Sequence, residues 1–263
     1  MNSFKEKIKN NQFVLGTMLS EISSPNIARM LKVGGFEYLI IDCEHGYFDY
    51  SQTAAIIGVA NGIHLPVIIR IPEIRRELIT KYMDMGASGL LVPMTGTKED
   101  IEIVVKYAKY MPIGQRGVST QRAHSEYNPP ALADYFVEAN NKTIIFAQIE
   151  TCEGVSNIQD ILSVEGVDAA IIGPNDMACD CGTPGDFNSP KMQENIDTVI
   201  AAAKAAGKPS GIISGNIPFL KECQEKGMTV FSCNSEVGMI ISGAKSIVNA
   251  FQLVGSDPHS AKV

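Results

Sequence analysis

The 263-residue chain lacks the features that would send it to a membrane, a nucleic acid or an oxidising compartment. No apolar run approaches the roughly 20 residues a membrane-spanning helix requires. The opening residues, MNSFKEKIKNNQ, are polar and hold no apolar signal segment, so a cytoplasmic location is expected. Basic charge is in deficit: 22 Lys and Arg stand against 29 Asp and Glu, a net charge of −7, which argues against a nucleic-acid partner. Six cysteines, at positions 43, 152, 179, 181, 223 and 233, are scattered and read as reduced thiols. Cys179 and Cys181 are the one close pair, a weak zinc signal without a second pair or a neighbouring histidine. A Walker A loop, a GxGxxG turn and low-complexity segments are also missing. At 45% hydrophobic and 19% charged, with no dividing linker, the chain is expected to form a single domain over residues 1–263.

What the sequence does contain is a recurrence of short runs rich in Val, Ile and Leu. They read FVLGTML (13–19), YLIID (38–42), PVIIRI (66–71), GLLVPM (89–94), TIIFAQIE (143–150), AAIIG (169–173), PSGIIS (209–214) and TVFSCN (229–234). Most are continuous rather than alternating, the pattern of parallel strands covered on both faces. Segments with helix punctuation lie between them. SSPNIARMLKVGG offers Ser24 as cap, Pro25 at the first helical position and Gly34-Gly35 as a stop. SPKMQENIDTVIAAAKAAGKP repeats this from Ser189 and Pro190 to Gly207, and Thr97 to Asp100 reads as a cap. Strand and helix alternating in this way predict a single α/β (β/α)₈ TIM barrel, with a doubly wound open sheet as the alternative. The long gap from 95 to 142 holds a helix and then YMPIGQRGVSTQRAHSEYNPP, expected as a functional loop.

In such a barrel the active site lies at the C-terminal ends of the strands. The second run ends in Asp42-Cys43-Glu44-His45, the third in Arg70, the fifth in Gln148-Ile149-Glu150 and the sixth in Gly173-Pro174-Asn175-Asp176. Each residue alone has an ordinary structural reading as a helix cap or an ion-pair partner; their convergence on one rim is the informative observation. Gln148 and Glu150, two apart, share a strand face. Burying carboxylates without compensation costs several kcal/mol, so acids on neighbouring strands call for a cation. With no cysteine or histidine cluster beside them, they suit a hard divalent ion: Mg²⁺ or Mn²⁺ best, with Co²⁺ or Zn²⁺ also accommodated. Such an ion polarises a carbonyl, Arg70 would add positive charge, and Asp42 with His45 could move a proton. The combination suggests enolate chemistry on an oxo acid. His259 lies in a polar tail and is not expected to act.

The motifs EHGYFD, VIIRIP, GASGLLVPM, GQRGV, AQIET and VDAAIIGPNDM, in this order, resemble the HpcH/HpaI family of metal-dependent pyruvate aldolases over almost the whole chain. The resemblance implies a TIM barrel and cleavage of a 4-hydroxy-2-oxo acid to pyruvate, or a close 2-oxo acid, and an aldehyde. It makes Glu150 and Asp176 the metal ligands, and Arg70 and Gln148 contacts of the oxo acid. His45, paired with Asp42, would move the proton of the 4-hydroxyl, and backbone amides from Gly173 through Pro174 and Asn175 to Asp176 would receive the carboxylate. It further implies a homohexamer that exchanges C-terminal helices. Two alternatives remain: a decarboxylase of oxaloacetate or a related 2-oxo diacid using the same enolate, and a non-catalytic small-molecule-binding barrel. Glu44, Arg116, Arg122 and the loop Cys179-Asp180-Cys181 have no assigned role at this point.

Overall fold

A computed structural model describes residues 3–255, which leaves His259 outside the described residues. Eight strands among these residues close into a parallel barrel in sequence order: β1 (Val14–Leu19), β2 (Tyr38–Asp42), β3 (Val67–Arg70), β4 (Gly89–Val92), β5 (Ile144–Ile149), β6 (Ala169–Ile172), β7 (Ser210–Ser214) and β8 (Val230–Ser235). Seven strands fall within one of the apolar runs and β8 extends one residue past its run, to Ser235; every residue of β2 through β6 is buried. The continuous runs are therefore two-sided strands, facing the helices on one side and the barrel interior on the other.

The side-chain alternation of a strand decides where the polar residues go. On β2, Leu39 and Ile41 pack outward against the helices, while Tyr38 and Ile40 join the interior cluster with Ile68, Leu91, Ile144, Phe146, Ala169 and Ile171. Continuing those interior columns upward by two residues gives Asp42, Arg70, Gln148 and Gly173, and one further step on β5 gives Glu150. The site is thus the top layer of the column that fills the barrel below. At the other end, Ile8, from the short helix Phe4–Lys9, closes the interior. Gly16 on β1 makes room for the Tyr38 ring, since a Cβ there would sit 2.5 Å from it, and the Tyr38 hydroxyl donates to the Phe231 carbonyl at 2.9 Å.

Two helix starts follow their sequence signals. Ser189 caps Pro190–Ala205, and Thr97 with Asp100 forms a reciprocal capping box on Lys98–Ala108. The third differs: the helix after β1 begins at Ile27, capped by Asn26 without a side-chain bond, so Ser24 and Pro25 belong to the preceding turn. The loop after residue 110 is also more ordered than expected. It contains a further helix, Leu132–Lys142, and its Arg116 is buried, donating to Asp84 at 2.6 Å and lying 4.9 Å above the Tyr110 ring. Arg116 is thus a structural strut, whereas Arg122 is exposed and bonds Ser119. After β8 the chain runs into the helix Glu236–Gly255, which exposes Ile240, Ile241, Ile247, Val248 and Phe251. No helix among the described residues is long and apolar enough to cross a membrane.

Candidate active site

Parallel pairing of β2 with β3 puts Asp42 directly opposite Arg70. The result is a two-pronged ion pair, Arg70 Nε to Asp42 Oδ1 at 3.0 Å and Nη2 to Oδ2 at 2.6 Å, in a buried setting. Asp42 Oδ1 also accepts the backbone N–H groups of Glu44 and His45, each at 3.1 Å. Burial alone would raise the Asp42 carboxyl; the bonded guanidinium outweighs it and holds the group below the usual carboxylate range. Both Asp42 oxygens are therefore committed, and the expected pairing of Asp42 with the His45 ring is not formed. That ring is 71% exposed and lies 3.9 Å from an oxygen of Glu44, which in turn is 3.3 Å from Arg70 Nε. Burial raises the Glu44 carboxyl, against the pull of Arg70.

Across the mouth, Glu150 sits at the end of β5 with 2% exposure. Its Oε1 accepts from Gln148 Nε2 at 2.5 Å, as the shared face predicts, and its Oε2 accepts the Met94 N–H at 2.8 Å. Met94 follows β4 and aims that N–H from a left-handed backbone, φ 50°, a conformation uncommon outside glycine. Nothing in the sequence near Met94 signals it. Burial pushes the Glu150 carboxyl up to about 7; the Met94 N–H opposes this, and the charges of Asp176 and Glu44 add to it. Gln148 is itself buried, and its Oε1 has no partner.

Gly173 closes the floor beneath this carboxylate, because a Cβ there would fall 2.2 Å from Glu150 Oε1. It caps the short helix Pro174–Asp180, which carries Asp176 in its first turn. The expected backbone cradle is narrower than Gly173 to Asp176. Pro174 has no N–H, and that of Gly173 is bonded to the Ile149 carbonyl at 3.2 Å. The N–H groups of Asn175 and Asp176 remain, as first-turn donors without an intrahelical acceptor. At the end of β8, buried Glu236 accepts the N–H groups of Ser20, Glu21 and Ile22 on one oxygen, at 2.7–3.0 Å, and so fixes the loop after β1. The signal for it was a charge following an apolar run.

The carboxylates fit a hard divalent ion. Glu150 is an acid buried without a countercharge bonded to it, the neighbouring negative charges of Asp176 and Glu44 raise it further, and Gln148 Oε1 is an unpartnered oxygen beside it. Among the described residues no group of three or more His, Cys, Asp or Glu gathers around one point; an ion held by two carboxylates would keep coordination positions for water and substrate.

The chain and its fold have known relatives. The HpcH/HpaI aldolase/citrate lyase family model matches residues 17–242. The 5-keto-4-deoxy-D-glucarate aldolase of Escherichia coli (strain K12) is 31% identical over 251 residues, covering 95% of this chain and 97% of that protein. Among solved structures, an HpcH/HpaI aldolase from Desulfitobacterium hafniense DCB-2 superposes with a TM-score of 0.89 at 30% identity, covering 98% of this chain and 99% of that one. An HpcH/HpaI aldolase/citrate lyase family protein from Burkholderia cenocepacia J2315 gives a TM-score of 0.88 at 26% identity, covering 96% and 100%. The protein is a class II aldolase, a carbon–carbon lyase. The chain belongs to the HpcH/HpaI aldolase/citrate lyase family.

Proposed function

We propose that the protein carries out reversible, divalent-metal-dependent retro-aldol cleavage of a 4-hydroxy-2-oxo acid, giving pyruvate or a close 2-oxo acid and an aldehyde. The observation that carries this reading is Glu150: a buried carboxylate raised to about 7, beside the orphaned Gln148 oxygen and within the field of Asp176. Glu150 and Asp176 would hold the ion, with Mg²⁺ or Mn²⁺ the expected metals and Co²⁺ or Zn²⁺ also suited to the donors. When bound, the ion supplies Lewis acidity toward the oxo acid.

The remaining work belongs to the chain. Arg70 cannot swing freely, because Asp42 grips two of its nitrogens, so its guanidinium is presented in one orientation to the oxygen that becomes negative in the enolate. Asp42 then acts as a positioning residue for Arg70. The exposed His45 ring, with Glu44 beside it, takes the proton of the 4-hydroxyl during cleavage and returns it during condensation. Gln148 helps hold the oxo acid, and the Asn175 and Asp176 N–H groups receive its carboxylate. The exposed apolar face of the helix Glu236–Gly255 supports a homo-oligomer in which that helix packs on a neighbouring copy, consistent with the hexamer implied by the resemblance. A cytoplasmic location remains part of the proposal.

The test is carbon–carbon bond formation. Purified protein is incubated with pyruvate and a panel of short aldehydes, some bearing a terminal carboxylate, with Mg²⁺, Mn²⁺ or EDTA, and products are read by mass spectrometry. The similarity to an aldolase named for a carboxylate-terminated sugar acid makes the acidic aldehydes the first to try. Metal-dependent aldol product, lost in Glu150→Ala, is expected. Decarboxylation of oxaloacetate with no aldol product from any aldehyde would reject the aldolase reading in favour of a decarboxylase.

A further inference from the structure

Behind the site, two of the six cysteines meet. The Sγ atoms of Cys152 and Cys181 lie 3.8 Å apart although the residues are far apart in the chain. The pair is held by its surroundings. The Cys152 N–H donates to Asp180 Oδ2 at 2.6 Å, and the side-chain amide of Asn195 reaches Cys181 Sγ at 3.2 Å and Cys152 Sγ at 3.8 Å. Asn195 is 2% exposed, so a buried amide spends its donors on two sulfurs, which are weak acceptors. A cleft of about 380 Å³, lined by Cys152, Ser156, Lys191, Glu194 and Asn195, opens onto the Cys152 side of the pair. All six cysteines are free thiols in the structure.

We infer that Cys152 and Cys181 are a site of reversible oxidation, in which a low-molecular-weight disulfide entering the cleft converts them into a disulfide that ties the segment just after β5 to the end of the helix that follows β6. The sulfurs need a further approach of roughly 1.8 Å to reach the S–S bond length of about 2.05 Å. The steps balance as two thiol–disulfide exchanges. Cys152, which lines the cleft, attacks one sulfur of the small disulfide as thiolate; its proton goes to solvent, a mixed disulfide forms, and one small thiolate leaves. Cys181 then gives up its proton and attacks the Cys152 sulfur, the Cys152–Cys181 bond forms, and the second small thiolate leaves. Two protein thiols are oxidised, one small disulfide is reduced to two thiols, and no other reactant is needed.

The position gives the bond its consequence. Cys152 stands two residues after Glu150, and Cys181 five residues after Asp176 at the end of its helix, so the cross-link ties together the segments that carry both carboxylates. It closes a loop that spans all of β6, and constraining a loop of this size in the unfolded chain is stabilising. The inference stands on the sulfur geometry and does not depend on the substrate taken by the site.

The experiment uses the full-length protein and oxidised glutathione as the probe. After incubation, remaining thiols are alkylated, the protein is digested without reduction, and cross-linked peptides are identified by mass spectrometry alongside thermal unfolding. Expected are a Cys152–Cys181 peptide and a rise in Tm of about 5–10 °C, reversed by dithiothreitol. Cys181→Ser should abolish both and trap glutathione on Cys152, whereas Cys179→Ser should leave both intact. Pairing through Cys179, arrest of the unsubstituted protein at the mixed disulfide, or a cross-link without a Tm rise would each overturn the inference.

Discussion

Substituting Gly173 by alanine adds one methyl group at the tightest point of the site. The backbone there has φ −96° and ψ 94°, open to any L-residue, so the conflict is purely steric. The new Cβ would stand 2.2 Å from Glu150 Oε1, 2.7 Å from Cγ and 2.8 Å from Cδ. Ordinary van der Waals contact for such a Cβ begins near 3.4 Å, so the carboxylate must retreat by roughly 1 Å, or β6 must move outward by as much. Retreat breaks the bonds from Gln148 at 2.5 Å and Met94 at 2.8 Å. Overpacking of this sort costs about 1–3 kcal/mol, which lowers Tm by several degrees without unfolding the barrel. Displacing a metal-binding carboxylate by 1 Å should lower turnover by about 10²-fold and weaken the metal by 10- to 100-fold. Circular dichroism would establish the fold, calorimetric titration with Mn²⁺ the affinity, and aldol turnover the activity. A folded G173A protein that binds Mn²⁺ and turns over within twofold of the parent would refute the placement of Glu150.

Three further outcomes follow from the same geometry. Asp42→Ala removes both aligned acceptors from the buried Arg70, leaving Glu44 at 3.3 Å as its counter-charge, and should cost about 2–4 kcal/mol in urea unfolding, whereas His45→Ala, at an exposed ring, should leave stability within about 0.5 kcal/mol while abolishing proton transfer; equal stability losses would contradict the assignment of Asp42 to Arg70. Because burial raises the Glu150 carboxyl to about 7, the folded metal-free chain holds that proton more tightly than the unfolded one. The stabilisation from this group is therefore complete below its ordinary value of about 4.3 and is lost as pH rises through 7, and Mn²⁺ affinity should fall about tenfold per pH unit below 7 and level off above it; a flat affinity profile from pH 5.5 to 8 would count against it. Glu236→Ala frees three backbone N–H groups of the loop after β1, and hydrogen exchange at Ser20, Glu21 and Ile22 should accelerate by at least tenfold.

The strands were legible because parallel, two-sided strands write themselves as unbroken Val, Ile and Leu runs; β1 to β7 each fall inside one, and β8 overruns its own by a single residue, Ser235. Strand parity also made Gln148 and Glu150 legible as neighbours on one face, which their hydrogen bond bears out. What stayed hidden depends on register and backbone conformation between distant segments. Asp42 was expected on His45, three residues away, but the pairing of β2 with β3 sets it opposite Arg70, and a guanidinium with two aligned donors outcompetes a neighbouring imidazole. The Met94 N–H could not be read, because a left-handed methionine carries no local mark. Arg116 had no role legible in its loop sequence, because the partners that bury it, Asp84 and the Tyr110 ring, come from packing rather than from its immediate neighbours. Ser24 and Pro25 are sound starting residues for a helix, but the turn out of β1 consumes them first.

The most direct test of the central claim avoids the unidentified aldehyde. The protein is incubated with pyruvate in D₂O with Mg²⁺ or Mn²⁺ and separately with EDTA, the metal is removed, and loss of the methyl proton signal is followed by NMR. The account predicts metal-dependent exchange of the methyl protons, abolished by Glu150→Ala and slowed by at least 10²-fold in Arg70→Ala. Exchange no faster than the free-metal control with any divalent ion would contradict it.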